Sequence, residues 1–268
     1  MSKKKSLYIW IAAFILTIFF AAWQRMTGPT YPARGSVRIA GEEIKYKLPR
    51  SHEVNSNQII TVEVPDKTIW GELAYKRYPS HDEWTRTPMA RQGDELKGEL
   101  PAQPAAGKIM YNIDLKAPSG EIKAVSDEPI ITRFKGVVPW WVLIPHILIM
   151  FVAMLWSTRA GLGAFFRDDK LFMHAVITAV LLFIGGVVLG PIVQKYAFDA
   201  YWTGWPVGND LTDNKTALSI IMWIVAAVQL KKHPERKRWA VIAAIVLVAV
   251  YLIPHSVLGS EIDYTQRP

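Results

Sequence analysis

The chain has 268 residues, 51% hydrophobic and 20% charged, with no cysteine, 11 tryptophans and a formal net charge of +8. The lack of cysteine excludes disulfide scaffolds, thiolate nucleophiles, cysteine-ligated zinc, iron–sulfur clusters and covalently attached c-type haem, and the lack of a short period excludes collagen-like and coiled-coil classes. These averages hide a segregation, because a polar stretch from about Arg25 to Lys135 is set within an apolar remainder, the pattern of a membrane protein.

In chain order, the first apolar run, Leu7 to Trp23, follows Lys3, Lys4 and Lys5. It is long for the core of a signal peptide, and Trp23 and Gln24 stand where a cleavage site needs small residues. An uncleaved transmembrane anchor over 1–24 is therefore expected.

Residues 25–136 change character. Seven segments alternate in hydropathy: Val37 to Ala40, Ile44 to Leu48, Ile59 to Val64, Ile69 to Tyr78, Leu96 to Leu100, Ile109 to Leu115 and Ile130 to Phe134. Gly41, Pro49, Pro65, Pro79, Gly93-Asp94, Gly107 and Pro118-Ser119-Gly120 punctuate them. Short strands with such breaks predict an inserted all-β domain, an immunoglobulin-like sandwich. Trp70, Tyr75, Tyr78 and Trp84 are expected in its core, with an aromatic binding face as the alternative. His52 and His81, in turn-rich segments, are expected to be solvated.

Four further apolar runs fill 137–259: Val138 to Ser157, Leu171 to Val193, Thr216 to Leu230, and Trp239 to Ile253 continuing toward Gly259. A helix needs about 20 residues to cross the hydrocarbon core, so the run beginning at Thr216 is short. With the anchor, the expected fold class is an α-helical polytopic membrane protein of about five transmembrane helices carrying the sandwich. Residues 260–268 form a tail. The basic clusters Lys3 to Lys5, Arg159 with Arg167 and Lys170, and Lys231, Lys232, Arg236, Lys237 and Arg238 all fall on one side of that arrangement. The N-terminus is then cytoplasmic, and the sandwich, the loop Gln194 to Lys215 and the C-terminus are periplasmic. The positive charge is an orientation signal and implies no nucleic-acid partner.

Chemistry is expected at the outer end of the helices. Ile144-Pro145-His146 and Ile253-Pro254-His255 repeat a tripeptide, and a 1.5 Å rise per residue puts the two imidazoles roughly 12 Å and roughly 6 Å inside the outer boundary. They bond carbonyls freed by the adjacent prolines, or they ligate b-type haem or a divalent metal. In the loop between the third and fourth runs, Asp210, Asp213 and Lys215 are drawn toward the histidines and close a polar pocket under Trp202 and Trp205. His146, His255, Asp210 and Asp213 are the metal candidates, and His146, His255, Trp202 and Trp205 the cofactor candidates. The plainer alternative makes the tryptophans an interfacial belt and Asp213 or Asn214 a helix cap. His174 is expected near the inner interface, away from the other two, and Gly186 and Gly190 to permit close helix packing.

Met89 to Leu115, with Gly93-Asp94 leading into one strand and Pro104 to Lys108 into the next, resembles the end of many immunoglobulin-like accessory domains. The loop and the stretch Pro254 to Tyr264 resemble segments of uncharacterised bacterial inner-membrane proteins with an extracytoplasmic immunoglobulin-like domain. That resemblance implies an inner-membrane location and brings no activity with it. The expected function is an accessory or assembly protein, with the lipid bilayer and another membrane or periplasmic protein as partners. The alternative is a redox membrane subunit holding b-type haem or a metal near the periplasmic face through His146 and His255. Metal-assisted hydrolysis by the same histidines and a loop aspartate is a third possibility, though no HExxH, GxSxG or phosphate-loop spacing supports it. A transporter lacks a second set of spans for an inverted repeat.

Overall fold

Each long apolar run forms a helix over its described part; the continuation of the fifth run from residue 255 toward Gly259 lies outside the described residues. The computed structural model describes residues 2–166, 168–254 and 261–266. Among these the chain divides into a helical unit (2–29, 138–196 and 200–254) and a β unit (30–137, 197–199 and 261–266).

In the helical unit, α1 spans Lys3–Thr27, with Ser2 capping the Lys5 amide, and α2 spans Trp140–Phe165. The third apolar run forms one continuous helix, Leu171–Phe198, built from α3 (Leu171–Leu182), a π-helical segment (Phe183–Leu189) and α4 (Gly190–Phe198). Then follow α5 (Leu211–Lys232) and α6 (Arg238–Leu252). Four of these helices are long and apolar enough to cross a membrane, and α6 is shorter at 15 residues. The run expected to be short, Thr216 to Leu230, is lengthened at its start by the polar turn Leu211 to Lys215. Asp213 and Lys215 are tolerated inside a helix because both find buried partners, described below.

The helical core includes fully buried Trp223 together with Ala153, Ala160, Ala175, Ala226 and Ala243. Small residues set the helix spacing. A Cβ on Gly161 would lie 2.6 Å from that of Ala244, and one on Gly186 2.4 Å from Thr216 Cγ2. The packing role expected of the glycine pair therefore falls on Gly186, since Gly190 has no such close neighbour.

The β unit has eleven strands. They are β1 (Ala33–Ile39), β2 (Glu42–Leu48), β3 (Ser51–Glu53), β4 (Gln58–Glu63), β5 (Trp70–Arg77), β6 (Thr85–Pro88), β7 (Ala90–Gln92), β8 (Glu95–Leu100), β9 (Lys108–Lys116), β10 (Ile122–Ala124) and β11 (Ile130–Lys135). β1 and β2 form a hairpin, β3-β11-β9-β5-β6 a central sheet with β10 on β9, and β4-β8-β7 a third sheet. Only β3–β11 is a parallel pair. The seven alternating segments all became strands. β3, β6 and β7, of three or four residues, carry no apolar alternation, β10 has only Ile122-Lys123-Ala124, all exposed, and these four exist by pairing with longer neighbours.

One core serves all three sheets: Ile39, Ile44 and Leu48 from the hairpin, Ile60 and Leu96 from the third sheet, and Leu73, Ile113 and Phe134 from the central one. On β9, buried Ile109, Tyr111, Ile113 and Leu115 alternate with half-exposed residues. The third sheet approaches the central one closely at Gly98, where a Cβ would stand 2.7 Å from Leu73 Cδ2. The aromatic core differs from expectation. Half-buried Tyr75 packs against the core as expected, but Trp70 is exposed and Tyr78 and Trp84 are only half-buried, and Tyr111 and Phe134 fill the interior. Trp70 occupies the outward phase of β5, where the Lys116 ammonium lies 4.6 Å above its ring.

The described part of the tail belongs to this unit. The Ile262 amide donates to the Ala106 carbonyl at 3.3 Å and the Tyr264 amide to Pro79 at 3.1 Å. The Tyr264 hydroxyl bonds Gln103 Oε1 at 3.1 Å, the Arg77 guanidinium lies 4.8 Å from its ring, and Glu261 pairs with Lys108. Gly107 makes room, since a Cβ there would lie 2.8 Å from the Tyr264 oxygen.

Candidate functional site

Two polar clusters mark opposite ends of the helical unit. The first is the loop between α4 and α5. Asp210 caps α5, accepting from the Thr212 amide at 2.7 Å. One turn on, Asp213 points back into the loop, and its Oδ2 accepts from the amides of Thr203 (2.7 Å) and Gly204 (3.0 Å) and from Gln194 Nε2 (3.2 Å). Asn214 Oδ1 accepts from the Trp205 amide at 2.7 Å. Gly204 is required for this fit, as a Cβ there would come 2.5 Å from that of Asp213. Both aspartates are buried; Asp213 accepts from the loop and from α4, and Asp210 from the first turn of α5.

Lys215, 7% exposed, donates to the Ile253 carbonyl at 2.8 Å. Ile253 follows the last residue of α6, Leu252, and precedes Pro254, and helices end before a proline. Beside Lys215 is a cavity of about 40 Å³, bordered by Thr212, Ser219 and Tyr251, the size of a bound water. Neither Asp210, Asp213 nor His146 borders it. Of the two tryptophans, Trp202 is half-buried and donates to the Trp205 carbonyl at 3.2 Å, whereas Trp205 is 76% exposed at the loop tip.

His146 is held elsewhere. Its Nδ1 lies 2.9 Å from the Gly185 carbonyl, and since a carbonyl only accepts, the ring donates there and leaves Nε2 as its acceptor. The Gly190 amide bonds the same carbonyl in the wider π register. The partner is thus a carbonyl of a neighbouring helix, not one freed by Pro145. His255 lies outside the described residues, and with it the expected histidine pair. Among the described residues no three His, Asp or Glu side chains converge as a metal set.

The second cluster was not anticipated. Arg159 on α2 is 1% exposed, and its Nη2 lies 2.6 Å from Asp168 Oδ2 and 3.4 Å from Ser6 Oγ. His174, expected at the interface, is 4% exposed with Nε2 3.5 Å from the same carboxylate oxygen. The Trp10 ring lies 5.5 Å from the guanidinium. Gly163 admits the pair, since a Cβ there would strike Arg159 Nη1 at 2.5 Å. Burial pushes the Asp168 carboxyl up, but the Lys170 amide and the Arg159 guanidinium outweigh it and hold the pKa below its ordinary value.

Among the described residues, Arg159 Nε and Nη1, both ring nitrogens of His174, Trp156 Nε1 and Ser157 Oγ are buried with no hydrogen-bond partner. The sequence gives this cluster little signal: α2 runs on to Phe165 through Ala160-Gly161-Leu162-Gly163-Ala164, whose two glycines are poor helix formers, so Arg159 reads as a charge at the helix end. No protein-family model matches the chain, and no curated protein matches it either.

Proposed function

We propose that the chain is an integral inner-membrane accessory or assembly protein of the bacterial envelope, with its N-terminus cytoplasmic and its β unit an immunoglobulin-like periplasmic interaction domain. The observation that carries this reading is the docking of Ile262 and Tyr264 onto the β unit. The chain leaves that unit at 137, returns to it at 197–199 and again at 261, so an even number of crossings separates each return from the last. Four helical segments lie between 137 and 261: α2, Leu171–Phe198, α5 and α6. With all four crossing, α1 makes five, and the three basic clusters share the side opposite the β unit. At 15 residues α6 covers roughly 22 Å, and Arg238 and Trp239 at its start suit a snorkelling end.

The outer carboxylates support a structural role over a hydrolytic one, because the loop's own amides occupy them. The same bonds make the loop a rigid mount for Trp205 and Val207, each 76% exposed, a tip suited to another membrane or periplasmic protein. Extraction in mild detergent should recover the chain with a stoichiometric partner, and Trp205→Ser should release it. Recovery as a partner-free monomer under those conditions would overturn the accessory role.

A redox subunit is the second reading, favoured by one contact. The Gly185 carbonyl fixes the His146 ring and leaves Nε2 free to ligate, as in metal-bound histidines whose other ring nitrogen donates to a carbonyl. A Soret band in the purified protein, lost in His146→Ala, would establish it, and a featureless visible spectrum with no bound transition metal would end it.

A further inference from the structure

A cleft of about 450 Å³ opens between the start of α3 and the end of α5. Leu171, Phe172 and Leu230 form its apolar side, and Lys231, Lys237 and Asp169 its polar rim. Asp168 also borders it, but the charge of that residue is matched by Arg159 at 2.6 Å. Two lysines therefore stand against one remaining carboxylate. Five of the eight residues from Lys231 to Arg238 are basic, so the surrounding potential is positive as well.

We propose that this cleft binds the headgroup of an anionic phospholipid, with the phosphate on Lys231 and Lys237 and the first part of an acyl chain along Phe172. The inference rests on the reading of the chain as a five-span membrane protein. Depth is the first argument. Leu171 is the first residue of α3 and Lys231 the penultimate residue of α5, so the cleft is level with two helix ends, where a bilayer places its phosphates. Its two-sided character is the second. A site for free phosphate has no use for an apolar side, whereas Phe172, 41% exposed, continues the cleft onto the lipid-facing surface of α3. Basic pockets between helices on the cytoplasmic side are where anionic headgroups are held.

The test uses full-length protein extracted in mild detergent, stripped of lipid, and titrated with phosphatidylglycerol or phosphatidylethanolamine in mixed micelles, with bound lipid read by native mass spectrometry. Wild type should retain phosphatidylglycerol over phosphatidylethanolamine. K231A/K237A should lower that retention at least about tenfold, K231R/K237R should keep it, and K232A/R238A, which removes the same charge outside the cleft, should leave it within about twofold of wild type. Equal retention of the two lipids, or an equal loss in K232A/R238A, would overturn the site. Full competition by inorganic phosphate would overturn the lipid as its occupant. Recovery of the chain in the soluble fraction without detergent would instead overturn the membrane reading on which the site depends.

Discussion

Asp213→Ala removes the acceptor around which the loop between α4 and α5 is organised. Three nitrogen donors, the amides of Thr203 and Gly204 and the Gln194 side chain, converge on its Oδ2 within 3.2 Å. A hydrogen bond to a charged group contributes about 1.5–3 kcal/mol, and a buried donor left unpaired costs about 1–3 kcal/mol. A simple sum over three donors overshoots, because water reaches the partly exposed Thr203 once the carboxylate is gone. A net loss of about 3 kcal/mol, mostly from the buried Gly204 amide and Gln194, is the realistic figure.

Hydrogen exchange followed by mass spectrometry over residues 199–210 reads that loss directly, since local opening sets amide protection. A loss of about 3 kcal/mol corresponds to exchange faster by roughly two orders of magnitude at Thr203 and Gly204. The α2 amides should be unchanged. Asp213→Asn keeps one acceptor oxygen and should show a much smaller effect, roughly tenfold. If Asp213→Ala changed exchange less than about threefold, or accelerated it equally in α2, the loop would not be organised by this carboxylate.

Gly98→Ala should lower the stability of the β unit by about 1–3 kcal/mol, since its new methyl group would meet Leu73 at 2.7 Å; thermal unfolding followed by far-ultraviolet circular dichroism on residues 30–137, which should give a β-rich cooperative transition, checks it. Asp168→Asn, which leaves the buried Arg159 charge unmatched, should destabilise the helical unit by about 3–5 kcal/mol, whereas Arg159→Met with Asp168→Leu should cost less than the single change. Because the folded Asp168 carboxyl titrates below its ordinary value of 3.8, its contribution is complete above that value and is lost as pH falls through the lower folded pKa. Acid titration of wild type should therefore show a stability loss that Asp168→Asn does not share. Reporters fused after Arg238 and after Gln266 should report cytoplasmic and periplasmic locations respectively, and matching signals would contradict five crossings.

What could be read in advance follows from which interactions are local. The alternation in Ile59 to Val64 or Ile109 to Leu115 is a property of the strand itself, so those strands were legible. β6 and β7 were not, because they are stretches of Thr, Arg, Pro, Ala and Gln that become strands only beside β5 and β8. The start of α5 was misjudged for the same reason. Asp213 and Lys215 look like loop residues until their partners, a loop amide and the carbonyl of Ile253, are in place. Tyr75 packs against the core, but Trp70 was misjudged by phase. Trp70 sits one residue before Gly71, whose side of β5 faces the core, and the preference of tryptophan for burial could not override that alternation. Arg159 and His174 look like interfacial charges in the sequence, and only the return of Asp168 between them makes them a buried set.

The His146 contact depends on helix register in a way that no count along α2 could reveal. In an unbroken α-helix the Gly185 carbonyl would accept from Leu189 and lie along the helix axis. The π segment instead pairs it with Gly190, five residues on, and such a widening inserts one extra residue into the turn. The extra residue tilts the carbonyl outward, where His146 Nδ1 meets it at 2.9 Å. Gly185 and Gly186 both permit the close approach this needs, because a Cβ on the first would lie 2.8 Å from Met150 Sδ and one on the second 2.4 Å from Thr216 Cγ2. Their consecutive placement lets α2 and α5 approach the same turn from two sides. A π segment kept at the point where the one histidine of α2 meets a neighbouring helix ties the orientation of that ring to helix packing. Any ligand taken by His146 Nε2 would therefore be coupled to the spacing of α2, α3 and α5, and in the absence of a ligand the same contact is a polar lock on that spacing.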